Sequence, residues 1–391
     1  MGARPFAQLE EGEIARWEHE VRAEDVDGFA ALSGDVNPLH LDDEFARRQG
    51  YRSRVVHGML LGAYLSRVVG TVLPGPGVVW LSQDVRFVAP AYVGDTIEVV
   101  VRLAHKSEAL RTLVLETTVF NQRRDKLVTG EGKMMMLAQT TSVPWNEMVA
   151  LITGGSRGIG AAVARALGER GAHVVVNYHE RRDAAEEVVA AVASAGGEAI
   201  AVQADVTDEA GAHGLVDAAL EAYGRVDAVV NNATPPIERK AFDQLSWAEL
   251  DRYWRTYVKS AFTLTQSLVP GMKERGFGRF VHMLTTAAWG SPPPEMAGYV
   301  TAKSGLWGLA KSTALELAPY GITVNAVSPS SVITDQWAEA SDSRRRALAL
   351  SVPAQRLASP GEVAATVLFL LGEEGAYMTG ANIPVAGGEV M

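Results

Sequence analysis

The chain has 391 residues, of which 47% are hydrophobic and 21% are charged, and a formal net charge of -10. This length predicts two domains, and the composition is typical of a globular protein. The absence of cysteine excludes disulfides, zinc ribbons and thiol nucleophiles. The negative charge argues against nucleic acid as a partner.

The sequence contains no sign of a membrane segment or a metal site. No apolar run reaches about 18 residues, so we expect no membrane span. The opening residues, MGARPFAQLEEGE, lack the apolar core of a signal peptide, which predicts a cytoplasmic protein. The histidines show no helical pairing with carboxylates, so no metal site is expected.

The first part of the chain shows one long helix pattern and then consecutive strand patterns. An apolar run at 58–73 predicts the helix, and strands are expected at 78–88, 96–107, 110–122 and 126–138. One helix followed by a run of antiparallel strands predicts an α+β domain whose sheet wraps around that helix.

The stretch GDVNPLH places Asp35 and His40 five residues apart, with Asn37 and Pro38 between them. A carboxylate and an imidazole brought to one point can transfer two protons, one at a carbon and one at an oxygen. The same pattern also suits an Asx turn that caps a helix and leaves His40 on the surface. This stretch alone leaves both interpretations open.

The stretch VVHGM immediately precedes the apolar helix. Backbone N–H groups at a helix start, here around Gly58, can stabilise a thioester oxygen that gains negative charge. A basic cluster lies between His40 and Gly58 and consists of Arg47, Arg48, Arg52 and Arg54. The cluster suits CoA phosphates or an acidic carrier protein, or it is a solvated loop with scattered charge.

A short polar stretch, QTTSVP, marks the boundary between two domains. We place the domains at 1–138 and 148–391, with a linker at 139–147. Beyond the linker, apolar strand patterns alternate with alanine-rich helix patterns, and the strands are expected at 149–153, 173–178, 198–206, 227–233, 279–284 and 322–329. This alternation predicts right-handed βαβ units and a Rossmann-type, doubly wound parallel sheet.

The turn TGGSRGIG lies between the first of these strands and a helix. Glycines there let the backbone approach a pyrophosphate, and the helix start supplies free N–H groups. The expected contacts are Gly154, Ser156, Arg157, Gly158, Ile159 and Gly160. The following strand, HVVVNY, ends at Asn177 without the acid that would accept the ribose hydroxyl of NAD. That absence, with Arg157 in the turn and Arg181 and Arg182 after the strand, favours NADPH.

Tyr299 and Lys303 are four residues apart and share one helix face. An ammonium near the phenol stabilises the phenolate and lowers the tyrosine pKa, so the phenol can exchange a proton with a carbonyl oxygen. Such pairs occur on many helices. Together with the glycine turn, NNA at 231–233 and Ser328-Pro329 followed by Thr334-Asp335, the pair is a specific signal.

On these motifs, residues 148–391 resemble a short-chain dehydrogenase/reductase of the 3-oxoacyl-thioester reductase type. The resemblance implies NADPH and reduction of a ketone, with Tyr299 as the acid and Lys303 tuning it and binding the ribose. It also implies cofactor contacts at Asn177, Tyr178, Asp205, Val206, Asn232 and Thr334.

The sequence departs from that family at four places. The family's serine falls on Thr285 or Thr286, depending on the end from which the loop is counted. The family's helix asparagine falls on Tyr257, NNAG ends in Thr234, and Pro-Gly ends in Ser330. Threonine keeps a hydroxyl, whereas tyrosine does not reproduce an amide, so the expected change lies in the proton relay and not in the acid.

Residues from about 10 to 137 resemble the MaoC-like hot-dog family, in particular R-specific enoyl-CoA hydratases. The resemblance rests on GDVNPLH, VVHGM, LPGPG and VRFVAPAYVGDTIEV. It implies Asp35 and His40 as the catalytic pair, Gly58 as the oxyanion donor and Asn37 as a support. The implied reaction is syn addition of water to a trans-2-enoyl thioester, or the reverse dehydration.

Together the two halves predict a bifunctional enzyme that acts on an acyl-CoA or acyl-carrier-protein thioester. One alternative keeps only the hydratase active and makes the reductase-like half an assembly module. Another makes both halves a platform that binds carrier protein. Both families also imply a homo-oligomer.

Overall fold

The computed structural model describes residues 4, 6–107, 110–137, 142–288, 292–334 and 342–390. The chain divides into two compact units, Met1–Gln139 and Thr140–Met391. Residues 138–141, which include the start of the predicted linker, lie outside the described residues. Val143 and Trp145 pack against the core of the second unit, so the described part of that linker belongs to the second unit. The domain limits given above stay a prediction.

The first unit is a five-stranded antiparallel sheet with helices, as the α+β expectation required. The strands are β1 (Ile14–Glu20), β2 (Val78–Phe87), β3 (Thr96–Ser107), β4 (Thr112–Asn121) and β5 (Lys126–Met136), in the order β1-β3-β4-β5-β2. The helices are α1 (Ala23–Ser33), α2 (Pro38–Leu41), α3 (Asp43–Arg48) and α4 (Gly58–Thr71). Strand β1 was not expected, because the charged residues of IARWEHE hide its alternation.

Helix α4 packs its apolar side against the sheet. Leu61, Leu65 and Val68 are buried in one core with alternate residues of β3, such as Val99 and Val101. Alternate side chains of a strand point to the same face, so β3 presents one apolar row to the helix. The prediction that the apolar run forms a core helix is confirmed, and it is the hot-dog arrangement.

The second unit is a seven-stranded sheet in which every paired strand is parallel. The strands are β6 (Val149–Ile152), β7 (His173–Tyr178), β8 (Glu198–Gln203), β9 (Ala228–Asn231), β10 (Gly278–Met283), β11 (Ile322–Pro329) and β12 (Asn382–Val385), in the order β12-β11-β10-β9-β6-β7-β8. The helices are α5 (Gly158–Gly168), α6 (Arg182–Ser194), α7 (Glu209–Tyr223), α8 (Trp247–Trp254), α9 (Ser260–Arg275), α10 (Ala297–Leu317), α11 (Asp342–Ser351) and α12 (Pro360–Leu371).

The sheet is covered on both faces, which explains its continuous apolar strands. Ala150 and Ile152 of β6 lie in the core that contains α5 and α12, whereas Val149 and Leu151 lie in the core that contains α7 and α9. This is the Rossmann-type architecture that the alternating pattern predicted.

The strand order reverses between β6 and β9. From β6 the chain proceeds outward to β7 and β8, and it then returns to the other side of β6 as β9. Such a switch point opens a crevice at the carboxyl ends of the two strands. The glycine turn after β6 and Asn232 after β9 therefore lie at the same place. None of the helices within the described ranges is long and apolar enough to cross a membrane.

Candidate active sites

Asp35 lies in the connection between α1 and α2, after Gly34, whose φ of 75° ends helix α1. Its Oδ1 accepts the backbone N–H of Asn37 at 3.3 Å, and Asn37 in turn caps α2 by accepting the N–H of Leu39 at 3.0 Å. The Asx-turn interpretation is therefore correct for the backbone. It does not exclude the catalytic one, because Asp35 Oδ2 remains directed at His40 Nε2, at 3.9 Å.

The orientation of His40 is set by the backbone. Its Nδ1 lies 2.7 Å from the carbonyl oxygen of Val55, so Nδ1–H donates there. That bond leaves Nε2, the atom that faces Asp35, free to take or give a proton. The Asp35 side chain is 52% exposed and the His40 side chain 13% exposed, so the pair is open to a substrate.

His57 is a functional candidate that the sequence analysis missed. It precedes α4, and only 2% of its surface is exposed. Its ring stacks on that of His40 with centroids 3.9 Å apart, and its Nε2 lies 3.0 Å from the backbone carbonyl oxygen of Asp35. Its buried Nδ1 has no hydrogen-bond partner within the part of the chain that the structure describes. The available signal was its position directly before Gly58.

Asp35, His40 and His57 bring possible metal-binding atoms within 4.8 Å of one another. The two imidazole rings are stacked, with an interplanar angle of 28°. Because a ring nitrogen binds a metal in the plane of its ring, lone pairs of two stacked rings do not converge on one ion. The geometry suits proton transfer better than metal binding.

Gly58 begins α4, next to His57. The first N–H groups of a helix have no acceptor within it and carry the positive end of its dipole. A Cβ at Gly58 would lie 2.9 Å from Phe87 Cε1, so the phenyl ring covers the glycine closely. The oxyanion role of Gly58 stays a prediction that this position supports.

Most of the arginine cluster is occupied by carboxylates. Arg48 pairs with Glu44, Arg52 with the buried Asp95, and Arg54 with Asp27. Arg47 alone has no such pair among the described residues. These pairs favour the interpretation of the cluster as a loop with scattered charge over the one in which it binds phosphates or an acidic carrier protein.

In the second unit a cavity of about 500 Å³ opens at the switch point. The expected cofactor residues that line it are Gly154, Ser156, Arg157, Gly158, Ile159, Asn177, Tyr178, Asp205, Val206, Asn232 and Thr334. Gly160 does not line it. A Cβ at Gly160 would lie 2.5 Å from the carbonyl oxygen of Gly154, so this glycine allows α5 to pack against the turn.

The glycine turn is fastened to the end of β9. Thr153 Oγ1 accepts the N–H groups of Asn232 and Ala233 at 2.9 and 3.0 Å. The Asn232 amide donates to the carbonyl oxygens of Thr153 and Gly154, each at 3.0 Å. Gly154 has a φ of +60°, and a Cβ there would lie 3.0 Å from Ala233 Cα. The turn is thus held in a shape that only glycine allows, and its open cradle fits a dinucleotide.

The expectation for the end of β7 needs correction. The strand ends at Tyr178, and the Asn177 side chain is buried. The Asn177 side-chain amide is hydrogen-bonded to the backbone. Its Oδ1 accepts the N–H of Gly154 at 3.2 Å, and its Nδ2 donates to the carbonyl oxygen of Ala204 at 3.0 Å. Beyond the strand the cavity is lined by His179, Glu180 and Arg181, so an acid is present near this end of the sheet.

Tyr299 and Lys303 lie on α10, are buried, and are not among the residues that line the cavity. Lys303 Nζ donates to the carbonyl oxygen of Met283 at 2.6 Å, and burial lowers the pKa of Lys303 to about 7. Burial raises the pKa of Tyr299. A hydrogen bond with Thr285 lowers this pKa, but by less than burial raises it. The pKa of Tyr299 is therefore raised and not lowered as expected, because desolvation of the phenol is the largest effect on it.

The structure distinguishes the two threonines. The Thr285 hydroxyl hydrogen-bonds the phenol of Tyr299, and it also accepts the N–H of Ala287 at 3.2 Å. Thr286 is buried at the start of a short 3₁₀ turn, Thr286–Ala288. Of the two candidates for the place of the family's serine, Thr285 is thus the one that contacts Tyr299. Asp335, which follows Thr334, lies outside the described residues.

Two of the departures from the family contact each other. Tyr257 lies in a π-helical turn, Arg255–Lys259, between α8 and α9. Its hydroxyl is 2.6 Å from the hydroxyl of Thr234, which lines the cavity. Its ring centroid is 3.7 Å from Lys303 Nζ, and its ring meets that of Tyr299 edge-on at 5.8 Å. The tyrosine–lysine pair is therefore connected to the cavity through Tyr257 and Thr234.

Known proteins similar to this chain match one unit or the other. Residues 154–389 match the family described as "Enoyl-(Acyl carrier protein) reductase", and residues 6–122 match the family described as "MaoC like domain". A 3-oxoacyl-[acyl-carrier-protein] reductase of Staphylococcus epidermidis is 35% identical over 242 residues, 62% of this chain and 98% of that protein. An acetoacetyl-CoA reductase of Allochromatium vinosum is 36% identical over 244 residues, with 62% and 98% covered.

Solved structures give the same result for the second unit. A short-chain dehydrogenase/reductase from Serratia marcescens is 34% identical with a TM-score of 0.59, covering 63% of this chain and 99% of that one. An NAD+-bound xylitol dehydrogenase is 31% identical with a TM-score of 0.58, covering 63% and 100%. The glycine turn, the parallel sheet and these matches lead to one conclusion: the chain belongs to the short-chain dehydrogenase/reductase family and carries a MaoC-like hot-dog domain before it.

Proposed function

We propose that the chain is a bifunctional enzyme that reduces a 3-oxoacyl thioester and then dehydrates the 3-hydroxyacyl product to a trans-2-enoyl thioester. The observation that supports this proposal is the presence, in one chain, of two pairs of side chains suited to proton transfer, Tyr299 with Lys303 and Asp35 with His40. The product of the first reaction is the substrate of the second. Relatives of the second unit are named for 3-oxoacyl-carrier-protein and acetoacetyl-CoA, which share the 3-oxoacyl thioester group.

In the reduction, the Tyr299 phenol donates its proton to the ketone oxygen. Burial keeps the pKa of Tyr299 above its usual value, so the phenol carries this proton at neutral pH. Thr285 hydrogen-bonds the same phenol and orients it toward the substrate oxygen. The Lys303 ammonium then stabilises the phenolate that remains. NADPH, when bound, supplies the hydride.

In the dehydration, one member of the Asp35–His40 pair removes the proton next to the thioester carbonyl. The other protonates the hydroxyl that leaves as water. The N–H of Gly58 holds the thioester oxygen as it gains charge, so the first proton becomes acidic enough to remove. The reverse sequence of the same steps hydrates an enoyl thioester.

The proposal is tested by incubating the protein with NADPH and a panel of 3-oxoacyl thioesters on CoA and on carrier protein. We expect loss of NADPH absorbance, with 3-hydroxyacyl and 2-enoyl products in the mass spectrum. Binding of NADPH without turnover of any thioester would instead favour the assembly-module alternative, which the replacement of the family's asparagine by Tyr257 suggests. The same panel identifies the acyl chain and its carrier.

We expect NADPH to be preferred over NADH because Arg157 and Arg181 line the cavity and suit a 2′-phosphate. Two observations would instead suit NADH: one structural neighbour is NAD+-bound, and Glu180 also lines the cavity. The expected preference for NADPH therefore depends on Arg157 and Arg181. Arg157→Ala should reduce the preference about 10-fold or more, the value of a charged hydrogen bond. The measurement is the ratio of kcat/KM for the two cofactors.

Arg165→Ala is the matched control for this prediction. Arg165 is exposed in the last turn of the same helix, α5, and does not line the cavity. Arg165→Ala should keep the cofactor ratio of the unmodified protein. The expectation fails if Arg157→Ala keeps that ratio as well.

We predict that His57 positions the hydratase pair through its bond to the Asp35 backbone and its stacking on His40. His57→Ala should lower the hydration rate about 10- to 100-fold, because small displacements of catalytic groups have effects of that size. His57→Gln, which offers an N–H donor in a similar place, should recover part of the rate. Equal rates for the alanine variant and the unmodified protein, with equal melting temperatures, would refute this role.

We also propose that the chain forms a homo-oligomer, as both families imply, which light scattering would check.

A further inference from the structure

Lys303 is a buried lysine. Its Nζ donates to the carbonyl oxygen of Met283 at 2.6 Å, and within the described part of the chain it forms no salt bridge with a carboxylate. The titratable side chains that face it are Tyr299 on its own helix, Tyr257 on the π-helical turn and His282 on β10. His282 is neutral, since burial, followed by the charge of Lys303, lowers its pKa to about 4.

Desolvation without a counter-charge opposes the ammonium form of Lys303. This is the physical reason why its pKa is lowered to about 7. The ammonium form is the one that stabilises the Tyr299 phenolate, so the site needs another source of negative potential. The face of an aromatic ring is such a source, and its effect is largest where water is excluded.

The ring of Tyr257 supplies that face. Its centroid lies 3.7 Å from Lys303 Nζ, closer than the ring of Tyr299 at 5.9 Å. The π-helical turn at Arg255–Lys259 places this side chain in the interior, where it is buried. π-helical turns are rare and are frequently found at functional sites.

The orientation of this ring is fixed at its other end. The Tyr257 hydroxyl lies 2.6 Å from the Thr234 hydroxyl, at the edge of the cavity. The neighbouring Tyr253 ring lies nearly parallel to it, with centroids 6.2 Å apart and an interplanar angle of 8°. Thr234 and Tyr257 are both departures from the family's residues, and their contact indicates that the two act as a unit.

We propose that Tyr257, held by Thr234, is a positioning residue that keeps Lys303 charged and in place beside Tyr299 through the face of its ring. It occupies the place of the family's relay asparagine but acts through electrostatic stabilisation of the lysine. The part of this proposal that concerns turnover rests on the proposed reductase activity. The part that concerns the charge of Lys303 does not.

Three variants separate the effect of the Tyr257 ring from the effect of its hydrogen bond to Thr234. Tyr257→Leu removes the ring, Tyr257→Phe keeps the ring without the hydroxyl, and Thr234→Val removes the partner hydroxyl with little change of shape. The chain has eight lysines, so protein labelled with ¹³C at lysine Cε gives a simple NMR spectrum. The signal that is missing in Lys303→Met belongs to Lys303, and its titration reports the charge directly.

We expect the pKa of Lys303 to fall by about one pH unit in Tyr257→Leu, and by less than half of that in Tyr257→Phe and Thr234→Val. The ammonium is present below the lysine pKa. A lower pKa therefore moves the alkaline decline of the reductase kcat to lower pH by the same amount. A merely structural role of Tyr257 would lower the melting temperature or kcat without moving this decline.

A folded Tyr257→Leu variant whose Lys303 titrates as in the unmodified protein overturns the proposal. If thermal melting shows that Tyr257→Leu does not fold, Tyr257→Asn removes the ring with the family's own residue and is held to the same criterion. If the unmodified protein reduces no thioester, the proposed reductase activity fails. The NMR titration of Lys303 still decides the role of Tyr257.

Discussion

Tyr299→Phe is expected to lower the reductase kcat by about 10²- to 10⁴-fold, the usual contribution of a positioned general acid. The substitution removes only the hydroxyl whose proton goes to the ketone oxygen. The ring still fills the space between Tyr253, Tyr257 and α10, so NADPH binding and the melting temperature should change little. NADPH oxidation in the presence of a 3-oxoacyl thioester measures the effect.

Tyr253→Phe is the matched control for this prediction. Tyr253 belongs to the same group of rings, 6.1 Å from Tyr299, but its hydroxyl accepts the backbone N–H of Glu238 at 3.0 Å. Loss of that hydroxyl should leave most of the reductase activity. If Tyr299→Phe is as active as Tyr253→Phe, Tyr299 is not the proton donor.

Asp35→Asn is expected to lower the hydratase rate by about 100-fold or more, because the amide neither takes up nor releases a proton at neutral pH. The amide has nearly the shape of the carboxylate, so the connection between α1 and α2 should be preserved. The rate is measured as the loss of conjugated absorbance of crotonyl-CoA or a longer enoyl thioester. His40→Ala should have an effect of similar size.

Asp27→Asn provides the control for the loss of one carboxylate. Asp27 is on α1, is 56% exposed, and pairs with Arg54 at 2.9 Å. Its replacement should leave the hydratase rate within a few-fold, since exposed ion pairs contribute little. An Asp35→Asn variant with the full rate would remove Asp35 from the mechanism.

The two variants also test whether the reactions are consecutive. With NADPH and a 3-oxoacyl thioester, Asp35→Asn should accumulate the 3-hydroxyacyl thioester, because only the second step is lost. Tyr299→Phe should leave the 3-oxoacyl thioester unreacted, yet convert added 3-hydroxyacyl thioester to the enoyl product. If either variant loses both reactions while its fold is intact, the two reactions do not occur at independent sites.

Local sequence was sufficient to predict both fold classes, though not strand β1, because each class depends on a short-range pattern. The strand pattern at 96–107 predicted β3, and the buried residues of β3 alternate as in a half-buried strand. The continuous apolar run of β7 gave a strand covered on both faces. The glycine turn, GDVNPLH and Tyr299-x-x-x-Lys303 are likewise local, so the candidate residues were identifiable without coordinates.

Long-range contacts were decided by the tertiary structure alone. His57 and His40 are 17 positions apart in the sequence, and no pattern predicts that their rings stack. Thr234 and Tyr257 are separated by 23 positions, and only the folded chain brings their hydroxyls together. The choice between Thr285 and Thr286 depended on which hydroxyl faces Tyr299.

The same reason explains the details that the sequence did not reveal. The sequence placed an ammonium near Tyr299 but did not show how deeply both side chains are buried, and burial sets the direction of both pKa changes. Asn177 lines the cavity as expected, but the sequence did not show that its amide is hydrogen-bonded to the backbone of Gly154 and Ala204. Solvation and hydrogen-bond competition are properties of the folded chain, because they depend on neighbours that are distant in sequence.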